Sequence, residues 1–322
     1  MSGERELLQR LIAGPVSGDT LAHEAGLTRA AMWKRIQALR GAGVEIDAQP
    51  GRGYALRHAP ELLQVESLVD GLPTAVRAGI ASIEIAWSLD STNSELLRRP
   101  APEQRVAVLL AERQTAGRGR RGKQWASPLA AHLYLSLSRQ FSGGLARLGG
   151  LSLVAGVAVV EALQGCGLSG VGLKWPNDLV VQGRKLGGLL VEGGGEHAGP
   201  VRAVIGLGLN VRMPEAAATA IDQPWTDLAT LQADPPSRNR IAVALLSHLV
   251  PALEQFDAQG LAPFLPRYAA VDALAGHEVR VQVGAATHAG TALGVAPDGA
   301  LRVRIGEHEQ VFHAGEVSVR RQ

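Results

Sequence analysis

The sequence predicts an α+β multidomain protein, with an N-terminal winged helix-turn-helix, a central mixed α/β domain and a small C-terminal SH3-like β-barrel. Three observations carry this. Helical periodicity with a cationic third helix and a glycine-bounded turn fills residues 4–56; apolar strand-like runs alternate with helical ones to about residue 272; only short alternating strands follow from about 274. The expected domains are 1–58, 60–272 and 273–322. At 322 residues, 46% apolar and 19% charged, the chain can bury cores of this size. A net charge of +2 excludes a generally polycationic scaffold, so affinity for anions must come from local clusters. The single cysteine, Cys166, cannot build an internal disulfide or a cysteine zinc site. The charged start "MSGERELLQRLIAG" is unlike a signal peptide, and no run reaches the ~18 apolar residues of a membrane helix. The expectation is a cytoplasmic protein with no membrane partner.

Taken in order, a first helix puts Leu7, Leu8, Leu11 and Ile12 on one face, a second lies near 19–25, Gly26 makes the turn, and Thr28 caps a third helix to about Leu39. In "TRAAMWKRIQAL", Ala31, Ile36 and Leu39 are expected to point inward, and Arg29, Lys34, Arg35 and Gln37 outward, as a helix in a major groove requires. Strands near 44–46 and 54–56 flank "DAQPGRG", a wing with Arg52 at its tip. Six cations stand against two carboxylates between residues 28 and 57, so DNA binding is expected through Thr28, Arg29, Lys34, Arg35, Gln37 and Arg52. A dimerisation module with solvated cations is the alternative. Trp33 is expected to pack under its helix, stack on a sugar or touch the next domain.

Strands are expected in "VAVLLAE", "HLYLSLS", "VGLKW", "DLVV", "LGGLLVEG" and "VRAVIGLGLNV", with helices near 92–98, 147–163 and 239–258. The second helix is apolar nearly all round and should be buried; the third contains Pro251, where a kink is expected. "EVRVQVG", "THAGTALGV", "ALRVRIG" and "QVFHAGEVSV" then supply the C-terminal β-domain.

The stretch "AGRGRRGKQW" at 116–125 fits both a dinucleotide-binding and a nucleotide-triphosphate glycine pattern. Each requires a helix to follow at once; instead Pro128 and an alternating strand follow, no carboxylate occurs from Arg113 to Val160, and Gln124 stands where a magnesium-binding hydroxyl should. Seven cations in that span (Arg113, Arg118, Arg120, Arg121, Lys123, Arg139 and Arg147) have no carboxylate within it, which points to an external anion. The alternative is a flexible surface loop. Companions stand in "DSTNSELL" (Ser91, Thr92, Asn93, with Thr92 and Glu95 at capping-box spacing), "LKWPNDLVV" (Lys174, Trp175, Asn177, Asp178), "GRKLGGLLVE" (Lys185) and "GLGLNV" (Asn210). Each also has a structural reading: Asn93 a cap, Asp178 a turn, Lys185 solvated surface, Asn210 a strand end.

In this order, "DSTN", "AERQTAGRGRRGKQW", "KWPNDL", "GRKLGGLLVE" and "GLGLN" resemble the biotin–protein ligases. With a winged helix in front, the chain resembles over essentially its whole length the bifunctional type, ligase and biotin operon repressor in one. The resemblance implies a class II synthetase-like catalytic domain that joins biotin to ATP, then passes biotin from biotinyl-5′-AMP to a lysine of the biotin carboxyl carrier protein of acetyl-CoA carboxylase. It implies that Ser91, Thr92, Asn93 and Gln114 hold biotin, that Arg118, Gly119 and Arg120 wrap its carboxylate and the phosphate, and that Lys185 is catalytic together with Arg120. Trp125 and Asn210 are implied at the adenine, and Lys174, Asn177 and Arg121 at the triphosphate, with Mg2+ arriving on ATP and no dedicated metal ligands. It also implies operator DNA as a partner and a homodimer formed on adenylate binding. A lipoate or octanoate ligase and a non-catalytic ligand-sensing repressor are the competing readings.

Overall fold

The computed structural model describes residues 2–49, 51–142, 144–195, 200–219, 221–314 and 317–321. The N-terminal module is built from α1 (Ser2–Ile12), α2 (Gly18–Glu24), α3 (Arg29–Gly41) and the antiparallel pair β1 (Ile46–Gln49) and β2 (Gly53–Leu56). Side-chain hydroxyls start two of the helices: Ser17 accepts from the Thr20 amide at 3.0 Å and Thr28 from the Ala31 amide at 3.2 Å. Gly26, at φ 62, makes the left-handed turn between them. The inward stripe of α3 is Met32, Ile36 and Leu39, all buried, whereas Ala31 is only half-buried. Ala31 lies one residue, roughly 100° of helix rotation, off that stripe. The first strand starts two residues later than expected because the Val44 amide still bonds the Leu39 carbonyl (3.0 Å), closing the end of α3 over Gly43. Trp33 is exposed, which removes packing beneath the helix as its role. Pro50 of the wing lies outside the described residues.

The helices α4 (Val65–Gly71) and α5 (Thr74–Ala78) and the strand β3 (Ile80–Ala86), none anticipated from the sequence, lead into the central domain. There follow α6 (Thr92–Arg98), β4 (Val106–Ala111), β5 (Leu133–Phe141), α7 (Leu151–Gly165), β6 (Gly172–Lys174), β7 (Asp178–Val181), β8 (Arg184–Gly195) and β9 (Val201–Leu209). The strands form one sheet in the order β3-β4-β5-β9-β8-β7-β6, antiparallel except for β3 with β4. Short helices α8 (Glu215–Ala218) and α9 (Leu228–Leu231) precede α10 (Arg238–Gln259) and α11 (Leu265–Ala269). Helix α7 begins at Leu151, later than expected, because Gly150 is left-handed (φ 80) and separates it from a 3-10 turn at Leu145–Leu148. It is buried nearly all round against the sheet and α10. Pro251 removes one N–H from α10, yet the helix runs on to Gln259, its apolar face of Leu245, Leu249, Leu253 and Phe256 held in the core. Among the described residues α10 alone is long and apolar enough to cross a membrane, and that apolar face is spent on the interior.

The C-terminal strands β10 (Glu278–Val283), β11 (Ala286–Val295), β12 (Leu301–Ile305), β13 (His308–Phe312) and β14 (Val317–Arg321) form an antiparallel sheet in the order β13-β12-β11-β10-β14. The expected single run "QVFHAGEVSV" is two strands on opposite edges of that sheet. Val279, Val281, Leu301 and Val303 join the hydrophobic cluster that contains Val157, Leu173 and Phe264, and the Trp175 indole donates to the Gly299 carbonyl at 3.0 Å. The winged helix is fastened differently. Leu129 and Ala130, from the central domain, sit in the same cluster as Leu8, Ile36 and Leu39, and the Leu129 amide donates to the Ala42 carbonyl at 2.8 Å. Arg57 adds an exposed ion pair to Glu215 at 3.4 Å.

Next to that junction, His132 is fully buried, its Nδ1 accepting from the Val211 amide at 3.0 Å. Burial pushes its pKa from 6.5 down to about 3. Between these values the unfolded chain binds a proton that the native protein does not. Stability is therefore full above the unfolded value and is lost as pH falls through the window, by on the order of 4 kcal/mol. We expect melting temperatures to fall between pH 6.5 and 4, and His132→Gln to flatten that slope by about one proton. An unchanged slope in the variant assigns the acid sensitivity to another group.

Candidate active site

The glycine-rich segment folds into a closed loop rather than a helix start. Arg118 and Gln124 face each other in an antiparallel bridge, the Gly119 amide bonds the Lys123 carbonyl at 2.7 Å, and a 3-10 turn at Arg120–Gly122 forms the tip. Arg121 takes a left-handed φ of 57 and Gly122 one of 72, so two successive residues turn the chain back. At the base, a Cβ on Gly117 would lie 2.6 Å from Ser127 Oγ and from the Trp125 carbonyl, which is why this position has none.

The loop borders a cavity of about 500 Å³ between the sheet and the C-terminal domain. Ser91, Thr92, Asn93, Gln114, Arg118, Gly119, Arg120, Arg121, Trp125, Lys174, Asn177 and Lys185 all line it. Asn210 does not: it is buried, and its Nδ2 donates to the Thr226 carbonyl at 3.0 Å, so the amide ties the end of β9 to the 224–228 segment. The helix cap is also reassigned. Ser91, not Thr92, caps α6, accepting from the Ser94 amide, while Glu95 bonds Arg98 and Arg99 instead of completing a capping box.

Buried hydrogen bonds set the floor. Gln114 Oε1 accepts from the Thr92 amide (2.9 Å) and its Nε2 donates to Ser127 Oγ (3.2 Å). Ser136 Oγ lies 2.7 Å from Thr92 Oγ1 and 2.6 Å from Asn93 Oδ1, and Asn93 Nδ2 donates to Glu192 Oε2 at 2.9 Å. Glu192 in turn holds Arg118 at 2.7 Å. One chain of bonds thus runs from the sheet interior to the glycine loop. Small residues make room for it: a Cβ on Gly206 would lie 2.3 Å from Asn93 Oδ1, and one on Gly208 2.4 Å from Trp125 Cε2.

Lys185 lies in β8, beside the irregularity in its pairing with β7, and Nζ stands 2.5 Å from Asp178 Oδ1 and 5.5 Å from the centre of the Trp125 ring. It is mostly buried, not solvated surface. Arg120 donates to Asn177 Oδ1 at 3.3 Å and to the Ala314 carbonyl of the C-terminal domain. Burial lowers the pKa of Arg120 and of Lys174, with Lys185, Arg320 and Lys123 adding repulsion at Lys174. A bound anion relieves both effects, so the cavity favours a polyanionic ligand. The Trp125 Nε1 is buried against Gly208 without a hydrogen-bond partner. In the loop region Arg118 pairs with Glu192 and Arg139 with Asp257, both outside it, Arg120 feels the charge of Asp178, and the Arg147 side chain lies outside the description. Sequence reasoning missed Ser127, Ser136, Glu192, Val319 and Arg320; the last two reach the cavity from the final strand, more than a hundred residues away in sequence.

Comparison with known proteins accounts for this arrangement. A profile of the biotin/lipoate A/B protein ligase family matches residues 86–210, a helix-turn-helix domain profile matches 4–55, and a biotin protein ligase C-terminal domain profile matches 275–320. The bifunctional ligase/repressor BirA of Escherichia coli (strain K12) is 37% identical over 94% of this chain and 92% of its own length. The chain belongs to the bifunctional biotin–protein ligase and repressor family. A second relative, the biotin–[acetyl-CoA-carboxylase] ligase of Mycobacterium tuberculosis, is 36% identical over 74% of this chain and 90% of its own. Among solved structures, the Aquifex aeolicus biotin protein ligase in complex with biotin and ATP superposes with a TM-score of 0.64 at 26% identity, covering 76% of this chain and all of that one.

For a biotin–protein ligase of this geometry, Gly208→Ala should be costly to activity and mild for folding. The added methyl displaces the Trp125 ring from the cavity wall, and we expect the rate of adenylate formation to fall about tenfold or more with the fold intact. A wild-type rate would mean that the ring's position is immaterial.

Proposed function

We propose that the cavity carries out a two-step ligation. The biotin carboxylate attacks the α-phosphate of ATP and expels pyrophosphate; the ε-amine of a carrier-protein lysine then attacks the mixed anhydride and AMP leaves. The carrier is the biotin carboxyl carrier protein of acetyl-CoA carboxylase. One observation supports the reading above the rest: Lys185, Arg118 and Arg120 converge on one cavity whose floor is the polar network of Thr92, Asn93, Gln114 and Ser136.

In this reading Ser91, Thr92, Asn93 and Gln114 meet the polar ring of biotin. Arg118, Gly119 and Arg120 close on its carboxylate and the α-phosphate. Lys185 exchanges Asp178 for the reacting oxygens and spreads the charge that builds during transfer. Trp125 covers the adenine. Asn210 acts one step back, by fixing the 224–228 segment. Lys174, Asn177, Arg121 and Arg320 face the departing pyrophosphate. Magnesium enters as part of the MgATP substrate. Among the described residues no three His, Cys, Asp or Glu side chains cluster to hold an ion of their own.

The same adenylate serves the second role, repression of biotin-synthesis genes. Adenylate under the ordered loop favours a homodimer, which presents two winged helices to a palindromic operator in the cytoplasm. Thr28 acts there through its helix cap, and Arg29 must leave an exposed pair with Asp19, while Lys34 and Arg52 already face outward. Arg35 and Gln37 are half-exposed on the flanks of α3. The division at about residues 58 and 272 belongs to this reading. The curated relatives named above are biotin enzymes, which leaves lipoate or octanoate ligation without support. Incubation of the protein with biotin and MgATP should yield tightly retained biotinyl-5′-AMP, discharged by a carrier domain with an intact target lysine. Absence of adenylate with both substrates present overturns the proposal.

A further inference from the structure

Among the five tryptophans, Trp175 is buried, Trp87, Trp125 and Trp225 are half-buried, and Trp33 is 54% exposed. It is one of three large hydrophobic side chains exposed among the described residues, and the one on α3. With Met32, Ile36 and Leu39 in the core, the opposite stripe of α3 runs through Ala30, Lys34 and Ala38, all exposed, and Trp33 stands on its shoulder, one turn before the half-exposed Gln37. Ala30 offers no bulk, so a ligand can approach the helix closely beside the indole.

The surroundings decide what that ligand is. Lys34 is exposed next to Trp33 along α3, Arg52 is exposed on the wing, and Arg29, one turn before the indole, holds an exposed pair with Asp19, so a second copy of this cationic face would be repelled and a polyanion attracted. Arg40 is not part of this field, since its guanidinium bonds the Ile46 carbonyl and lies over Tyr54. Phosphates match the cations but not an apolar ring. On duplex DNA the apolar group at the base edges of the major groove is the C5-methyl of thymine.

We propose that Trp33 is a specificity-determining residue of the recognition helix, packing its indole against a thymine methyl at a fixed position of each half-site. The inference rests on the DNA-binding reading of this domain. It adds an apolar contact that the cationic pattern alone does not contain.

The test uses the full-length protein with biotin and MgATP, selecting from random-sequence duplexes in parallel with wild type, Trp33→Ala and Trp33→Gln. Thymines of the selected duplex are then replaced singly by deoxyuridine. We expect wild type to enrich a thymine that both variants no longer select, with the variants binding the wild-type duplex about tenfold to a hundredfold more weakly. Deoxyuridine at that position should weaken wild type and leave the variants unaffected. Because the side chain is exposed, melting temperatures should be unchanged, which separates lost contact from lost fold. Identical selected sequences, or equal weakening on selected and scrambled duplexes, overturn the base-reading role. No enrichment by wild type overturns the DNA-binding reading beneath it.

Discussion

Lys185→Ala should abolish most adenylate formation while leaving biotin in its pocket. The ammonium is held by Asp178 at 2.5 Å and over the Trp125 ring, so it stands in the cavity before substrate arrives and has only to exchange Asp178 for the reacting oxygens. A preorganised donor of this kind contributes about a hundredfold to a thousandfold in rate. In the proposed function the biotin ring rests instead on the floor formed by Thr92, Asn93 and Gln114, whose hydrogen bonds do not involve Lys185. We therefore expect kcat for biotinyl-5′-AMP formation to fall at least about a hundredfold and biotin affinity to change by less than about tenfold. Lys185→Arg should recover little, because a planar fork cannot replace a compact charge in a largely buried slot. A rate within about threefold of wild type removes Lys185 from the chemistry.

Arg120→Gly should uncouple making the adenylate from keeping it. The guanidinium connects Asn177 on one side of the cavity to the Ala314 carbonyl of the C-terminal domain on the other, so it closes the cleft as well as carrying charge. Glycine removes both bonds and loosens a tip that already contains Gly119 and Gly122. Adenylate release should accelerate by about tenfold to a hundredfold, readable by stopped-flow dilution. Operator affinity at fixed biotin should fall in parallel, because less of the protein stays loaded. If release and operator binding both match wild type, the loop does not couple the two activities.

The cavity was legible in sequence wherever chemistry had forced unusual local composition: glycines among arginines at 117–123, and a lysine between strand residues at 185. Asn210 shows the limit. An amide at a strand end reads the same whether it faces a ligand or its own backbone, and only the approach of the Thr226 carbonyl, distant along the chain, separates the two. Ser136 was hidden because an alternating strand gives no sign of which hydroxyl will meet a floor built from α6. Glu192 was hidden for the converse reason: a local charge inventory of residues 113–160 cannot see a carboxylate beyond the window. In α3, apolar spacing alone admits Ala31 or Met32 on the inner stripe, one residue apart in phase, and only the packing of Leu8 and Leu11 against Met32's side of the helix separates them. The strand β3 escaped because "IASIEIA" lies at the sheet edge, where burial and therefore apolar character are incomplete.

Leu129 has a consequence for any attempt to take this molecule apart. Its side chain completes the interior of the head piece, yet it is joined by four peptide bonds to Trp125, at the rim of the reaction chamber. Cutting at residue 58 would therefore leave a wet, greasy scar on the body and a hollow in the severed head. The two pieces are tenons of one joint, and neither fragment inherits the surface that the intact protein presents.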